Sequence, residues 1–344
     1  MKNLDFPNNI QIETTSRCNA KCEFCPYPAT SLTQPQGAMD DDLFESIVEQ
    51  ISHYPVHLIQ PFLNNDPLMD RRILPRLELI VRKNPKARVM VTTNGFLLRD
   101  EIARGLVELN LDTIHISSNG LTPEVYRETM GIDAFTVIRN VNNLWDRIRK
   151  ANSATKLVVT AILLKANKHE ITHMRDYWTS RGVTFYLNPL NNRAGNISEQ
   201  TFYQLLPFSK KANDSQLFSY NMSGCPALYS YMGILWNGDL ITCCMDWRRS
   251  NVLGNAREDS LYNLWHGGQY RKFRDLSDAG RLDEMDLCRQ CGDNRYSIDT
   301  GALRDLIEHQ TGEPTAARDA EVLCMLEKLR QEEPDSIKLG LLRS

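Results

Sequence analysis

Short apolar runs alternate with longer amphipathic stretches up to about residue 200. The short runs are rich in Val, Ile and Thr, and they predict strands at 10–15, 57–63, 88–93, 112–117, 156–164 and 183–188. Between two of them, Leu43, Ile47 and Ile51 line one face of a predicted helix, and similar helical spacing recurs from Phe135 to Ile148. Six strands separated by helices favour a parallel sheet built from βα units.

The number of βα units favours an open architecture. A closed (β/α)8 barrel has eight units, so six predict an α/β fold of the partial (β/α)6 barrel type, with its active site at the carboxyl ends of the strands. Beyond about residue 200 the alternation stops, and "YMGILWNGDLITCCMDW" predicts a β-hairpin that turns at Asn237 and Gly238. We therefore expect a barrel over residues 1–205, a small second domain over 206–300 and a helical tail over 301–344.

Composition and charge argue against several classes of function. The chain has 344 residues, of which 42% are hydrophobic and 24% are charged, as in ordinary globular proteins. A formal net charge of -3 offers no basic surface for a nucleic acid or for an anionic membrane, so we expect neither partner. The sequence contains no signal-like apolar segment near the start and no run of 18 apolar residues, which predicts a cytoplasmic protein.

Eight of the nine cysteines fall into two groups, whereas Cys324 is expected to be a small buried side chain. In the first group, Cys18, Cys22 and Cys25 follow the first predicted strand with the spacing C-x3-C-x2-C. Zinc sites usually use four ligands, and the cytosol keeps thiols reduced, so neither zinc nor disulfides suit this triplet. A [4Fe–4S] cluster takes one thiolate per iron, so three thiolates leave one iron free to chelate a small molecule.

This motif resembles that of the radical S-adenosylmethionine (SAM) superfamily. The resemblance implies that SAM chelates the open iron and that one electron cleaves it to a 5′-deoxyadenosyl radical. Phe24 matches the family's aromatic position near the adenine, although by itself it would suit an apolar core. Asn64, Asn65 and Asp66 replace the family's Gly-Gly-Glu, which receives the methionine amino group; the carboxylate is kept on a shorter stem, and the asparagines would also suit a simple turn. By the same resemblance, the polar ends of strands three and four supply further SAM-binding candidates: Thr93, Asn94, Ser117 and Asn119.

The second group of cysteines lies in the predicted second domain and includes Cys225, Cys243, Cys288 and Cys291. Four thiolates would saturate one cubane cluster, and a four-cysteine zinc site is the alternative. The pattern resembles the SPASM domain of radical SAM enzymes, and more closely its shorter twitch form, which implies one auxiliary [4Fe–4S] cluster. Cys244 also lies here, but the glycine-x4-cysteine spacing from Gly238 favours Cys243 as the ligand.

A saturated auxiliary cluster suits electron transfer, which favours a substrate that is oxidised by two electrons. The cysteine pattern looks most like that of the aminoglycoside (2-deoxy-scyllo-inosamine) type of radical SAM dehydrogenase, which oxidises a secondary alcohol of an amino-cyclitol to a ketone. That resemblance implies a small polar substrate, such as an amino-cyclitol or a sugar alcohol, and a flavodoxin- or ferredoxin-type electron donor. A basic residue at the barrel mouth would assist loss of the hydroxyl proton. Arg193, near Asn188 and Asn192, is the candidate, with a surface loop arginine as the alternative.

Two other functions fit parts of the sequence. Maturation of a ribosomally made peptide, by epimerisation or cross-linking, is the second enzymatic hypothesis. Only about ten residues precede the first predicted strand, so we expect no peptide-recognition domain there. A zinc-binding scaffold would explain the pair at Cys288 and Cys291 but not three thiols at the mouth of a six-unit barrel.

Overall fold

The computed structural model describes residues 4–207 and 225–291. The first range contains strands β1 (Asn9–Ile12), β2 (Leu58–Gln60), β3 (Arg88–Thr93), β4 (Thr113–Ser117), β5 (Lys156–Ile162) and β6 (Thr184–Asn188). Its helices are α1 (Tyr27–Thr30), α2 (Asp41–Ser52), α3 (Ile73–Lys83), α4 (Asp100–Glu108), α5 (Pro123–Thr129), α6 (Ala134–Lys150), α7 (Ile171–Thr179) and α8 (Glu199–Leu205). The second range contains α9 (Ala227–Ser230), β7 (Tyr231–Ile234), β8 (Asp239–Ile241), β9 (Val252–Asn255), α10 (Leu261–Trp265), α11 (Gly268–Asp278) and α12 (Asp286–Arg289).

The first six strands lie side by side in chain order, and every neighbouring pair is parallel. This arrangement confirms the predicted α/β fold with six βα units. Three strands end earlier than the sequence predicted, at Ile12, Gln60 and Ile162. After β2 and β5, asparagine side chains accept hydrogen bonds from backbone amides: Asn65 Oδ1 accepts from Leu63 N, and Asn167 Oδ1 accepts from Leu164 N. Such local hydrogen bonds compete with the strand ladder, and apolar patterning cannot reveal them.

The predicted hairpin is present, but its place in the sheet was not predicted. Strands β7 and β8 pair antiparallel, and Gly238 has a φ of +95° in the turn, a value that a residue without Cβ accommodates readily. β7 also pairs in parallel with β1, and β9, which the sequence did not predict, pairs with β8. One nine-stranded sheet with the order β6-β5-β4-β3-β2-β1-β7-β8-β9 therefore runs through both described ranges.

The two faces of the sheet differ in chemistry. On one face, Ile10, Ile59 and Ile114 join the buried side chains of the helices in the main core, which includes the predicted α2 residues Leu43 and Ile47. Alternate strand residues point the other way, and we call the surface that they form the polar face. Its polar members, matched by the strand register, are Gln11, Glu13, Gln60, Thr92, His115, Ser117, Thr160, Tyr186 and Asn188.

The predicted limits of the three regions, at 205/206 and 300/301, stay predictions. The helical tail over 301–344, with Cys324, lies outside the described residues. Within the described part of the chain, no helix is both long enough and apolar enough to cross a membrane.

Candidate active site

The three predicted cluster cysteines lie together in the loop that follows β1. Cys25 N donates to Cys22 O at 3.1 Å, which folds the C-x2-C segment into a turn. Burial raises the pKa of Cys18 to about 12, and the charges of Asp66 and Cys25 add to this effect. The pKa of Cys22 is raised by burial first and then by Cys25 and Cys18, so the three thiols are electrostatic neighbours. A cluster that binds thiolates and compensates their charge suits such a donor set.

Asp66 joins the loop after β2 to the loop after β3. Its carboxylate is fully buried and accepts hydrogen bonds from Thr93 Oγ1 at 3.0 and 2.9 Å, from Asn94 N at 2.8 Å and from Leu68 N at 3.0 Å. Burial raises the pKa of Asp66, whereas these donors lower it. The shorter carboxylate that replaces the family's Glu therefore acts here as a structural junction between two candidate SAM-binding loops.

Unpaired polar atoms next to this junction mark where SAM would fit. Asn64 Oδ1 and Asn65 Nδ2 are buried and find no hydrogen-bond partner in the described residues, and the same holds for Asn19 Nδ2. Asn94 Nδ2 donates to Asn19 Oδ1 at 3.0 Å and lies 4.0 Å from Cys18 Sγ. Unpaired buried polar groups are costly, so a polar ligand that pairs with them suits this site. The residues present fit the amino-acid part of SAM.

Two other candidates are already engaged by the protein. Phe24 is buried among Leu164, Leu190 and Ile197. Asn119 is 2% exposed, and its Oδ1 accepts from Ile162 N at 2.7 Å, so this side chain links the ends of β4 and β5. Ser117, the last residue of β4, is half-buried on the polar face. A SAM contact by any of these three residues stays a prediction.

Arg193 lies in the loop after β6, in an unusual backbone conformation. Arg193, Ala194 and Gly195 have consecutive φ values of +53°, +53° and +75°. Burial raises the pKa of Cys25, and the positive charge of Arg193 opposes that rise. Ala194 packs in one apolar cluster with Leu287 and Cys291. The loop thus adjoins both predicted cluster sites.

The four predicted auxiliary cysteines come together from distant parts of the chain. Burial raises the pKa of Cys243, and the neighbouring charges of Cys244, Cys225 and Cys291 raise it further. Cys288 has a pKa of about 12 because of burial and of the charges of Cys225 and Cys291. No group of three or more described Cys, His, Asp or Glu residues converges tightly enough to bind a single metal ion. In a four-iron cluster each thiolate binds a different iron, which suits neighbouring but non-converging thiols.

Comparison with known families agrees with this geometry. Residues 12–177 match the radical SAM superfamily, and residues 225–292 match SPASM, described as an iron–sulfur cluster-binding domain. The chain is a radical SAM protein with a SPASM domain. It is accordingly a radical SAM iron–sulfur enzyme that uses SAM, one SAM-binding [4Fe–4S] cluster and one auxiliary [4Fe–4S] cluster.

This radical SAM protein has relatives along most of its length. It is 23% identical over 299 residues to the S-adenosyl-L-methionine-dependent 2-deoxy-scyllo-inosamine dehydrogenase of Niallia circulans, covering 87% of this chain and 97% of the relative. The crystal structure of BtrN in complex with AdoMet and 2-DOIA superposes with a TM-score of 0.58 at 20% identity, covering 85% of this chain and 94% of that one. The structure of Streptococcus suis SuiB bound to the precursor peptide SuiA superposes with a TM-score of 0.62 at 20% identity, covering 79% of this chain and 67% of that one.

The sequence did not predict two buried carboxylates, one that follows β1 and one that follows an auxiliary cysteine. Glu13 follows β1 on the polar face, and its Oε2 lies 3.4 Å from Trp236 N and 3.6 Å from the Arg249 guanidinium. Asp246, three residues after Cys243, is fully buried. A charged residue at an alternating strand position could have drawn attention to Glu13. No local pattern distinguishes Asp246 from an ordinary loop acid.

Proposed function

We propose that this radical SAM enzyme oxidises a secondary alcohol of a small polar substrate, such as an amino-cyclitol or a sugar alcohol, to a ketone. In this proposal Cys18, Cys22 and Cys25 hold the SAM-binding cluster, and Cys225, Cys243, Cys288 and Cys291 hold the auxiliary cluster. When bound and reduced, the first cluster and SAM supply a 5′-deoxyadenosyl radical. The substrate carbon gives up its hydrogen atom to that radical, and 5′-deoxyadenosine forms.

The observation that carries the proposal is the chemistry of the polar face. The strand register brings Thr92 beside His115 and Ser117 beside Thr160, close to the strand ends that carry Thr93 and Asn94. Hydroxyl, imidazole and amide groups on this face can hydrogen-bond a substrate that carries several hydroxyl or amino groups. An apolar substrate could pair with none of these groups. The face therefore favours a hydroxylated substrate.

The remaining carbon radical must lose one proton and one electron to become a ketone. Arg193, together with Asn188 and Asn192, would assist transfer of the hydroxyl proton to solvent water, because a fixed positive charge stabilises the developing alkoxide. The electron would pass to the auxiliary cluster, against whose cysteines the same loop packs. The 23% identical relative named as a dehydrogenase supports this two-electron outcome.

Reduction of the first cluster needs a low-potential donor, for which we propose a flavodoxin- or ferredoxin-type protein. We also propose that the protein is cytoplasmic, where thiols are kept reduced.

The test is anaerobic turnover of reconstituted, reduced protein with SAM and a panel of amino-cyclitols and sugar alcohols. We expect one panel member to raise 5′-deoxyadenosine release above the substrate-free background, with a ketone formed in equal amount. The variant Arg193→Gln should lower ketone formation at least about tenfold, as loss of an electrostatic stabiliser does. Background release with the whole panel would contradict the proposal.

A peptide substrate is the second candidate. It is favoured by the likeness in fold to SuiB, whose structure contains a bound precursor peptide. Stimulation of 5′-deoxyadenosine release by peptides, with no ketone from any alcohol, would favour epimerisation or cross-linking of a peptide instead.

A further inference from the structure

Asp246 carries a buried negative charge in the auxiliary domain, and the proposed reaction assigns it no role. The side chain is 0% exposed. Its Oδ1 accepts from Ser250 N and Ser250 Oγ, both at 2.8 Å, and its Oδ2 accepts from Asn251 N at 2.9 Å. Donors of this kind stabilise a carboxylate charge without neutralising it. Across residues 4–207 and 225–291, no Lys, Arg or His forms an ion pair with Asp246.

The charge is placed beside the auxiliary thiols. Asp246 N donates to Cys243 O at 3.1 Å, so Asp246 closes a turn that begins at a predicted cluster ligand. The charge of Asp246 also contributes to the raised pKa of Cys288, which comes from the other end of the auxiliary region. Arg249, three residues further along the chain, pairs instead with Glu13 at 3.6 Å.

The surroundings of these thiols make the charge effective. Ala194, Leu287 and Met245 pack with Cys291 and Cys243 in one apolar cluster. These apolar side chains displace much of the surrounding water, so a nearby charge is screened less than it would be at the surface. The reduction potential of an iron–sulfur cluster depends on nearby charge and on solvent exposure, and a negative charge disfavours the added electron.

We propose that the negative charge of Asp246 lowers the reduction potential of the auxiliary cluster. The consequence rests on the proposed function. Without this charge, an electron donor strong enough to reduce the SAM-binding cluster would also reduce the auxiliary cluster before turnover. With Asp246 in place the auxiliary cluster stays oxidised and can accept the electron that the substrate radical gives up, one electron for each ketone formed.

The test is a redox titration followed by electron paramagnetic resonance on full-length protein in which Cys18, Cys22 and Cys25 are all changed to Ala. This background isolates the auxiliary signal. Asp246→Asn should shift the midpoint potential upward, so that the ratio of reduced to oxidised cluster at a fixed applied potential rises at least about fivefold. Ser250→Ala is the matched control, because it removes one hydrogen bond and keeps the charge. The ratio of reduced to oxidised cluster in Ser250→Ala should stay within about twofold of the ratio in the parent protein.

Other outcomes overturn the proposal. An unchanged midpoint in a fully loaded Asp246→Asn protein would show that the charge does not act on the cluster, and an equal shift in Ser250→Ala would assign the effect to loop structure. If Asp246→Asn does not load its cluster, Ser250→Lys places an ammonium beside the intact carboxylate and should also shift the potential upward; no shift there overturns the proposal. The titration contains no substrate, so its result is independent of whether a ketone forms.

Discussion

Glu13 is a single residue whose titration should be visible in the stability of the whole protein. Burial raises its pKa to about 7, against the opposing effects of Arg249 and the Trp236 amide. The folded chain therefore holds this proton more tightly than the unfolded chain, and the stabilisation it gives is complete below the ordinary pKa of 4.5. As the pH rises towards 7, up to roughly 3 kcal/mol of that stabilisation is lost.

We expect Glu13→Gln to raise the free energy of unfolding at pH 8 by roughly 1–3 kcal/mol and to change it little at pH 5, because a neutral amide does not have to be ionised in the interior. Anaerobic urea unfolding at the two pH values measures this difference. The exposed Glu258→Gln provides the same chemical change without burial and should have no pH-dependent effect. Equal effects of Glu13→Gln at both pH values would contradict the prediction.

Cys243 and Cys244 are adjacent, and substituting each in turn shows which of them is the ligand of the auxiliary cluster. Both cysteines pack against the cluster that contains Leu63 and Tyr231, and the electrostatic neighbours of Cys243 include Cys225 and Cys291. We expect Cys243→Ala to lose about half of roughly eight irons and Cys244→Ala to keep nearly all of them. Iron and sulfide analysis after anaerobic reconstitution measures this. The opposite pattern would assign Cys244 as the ligand.

At the scale of elements, the loop after β6 connects the barrel to the auxiliary domain. Asn192 Nδ2 donates to Gln290 O at 2.9 Å, and Asn196 Nδ2 donates to Met245 O at 3.0 Å. These two bonds reach two of the three segments that supply auxiliary cysteines. Three consecutive left-handed residues give the loop the tight bend that it needs to make them. A disturbance of this loop should therefore affect the auxiliary cluster.

Gly195→Ala tests this connection. A Cβ built at Gly195 would overlap Gln290 Oε1, and the φ of +75° disfavours any residue that has a Cβ. We expect a loss of roughly 1–3 kcal/mol in the free energy of unfolding and a less stable auxiliary cluster. Gly268→Ala is the matched control, because a Cβ there meets no atom within 4 Å. Thermal melting and the rate of iron release to a chelator measure both effects, and equal values for the two variants would contradict the role of the loop.

At the scale of the whole molecule, the pairing of β1 with β7 makes the barrel depend on the auxiliary region. The main core contains Ile10 and Ile12 from β1 together with Met232, Ile234 and Trp265 from the second described range. Removal of that range would expose an unpaired strand edge and a large apolar surface, both of which promote association.

A chain truncated after residue 207 should therefore fail to fold as a stable monomer. We expect aggregation on size-exclusion chromatography and a loss of cooperative unfolding by circular dichroism, in contrast to the full-length chain. A monomeric truncated protein that unfolds cooperatively and still binds the first cluster would show that the barrel is independent of β7.

The sequence by itself determined the local elements and the chemistry of the thiols. Apolar periodicity follows directly from the alternation of strand and helix side chains, so the six strands, the α2 face and the hairpin were all predictable. The C-x3-C-x2-C spacing likewise predicted an iron–sulfur site, because the ligands are close in sequence.

Only the tertiary structure decided the contacts between distant segments. The parallel pairing of β7 with β1 joins residues more than 200 positions apart, and the hydrogen bonds from Thr93 to Asp66 link two separate strand ends. The burial of Glu13 and Asp246 also depends on what packs over them. Local patterning specifies which face of an element is apolar, but the partner that covers that face is selected by the packing of the whole chain.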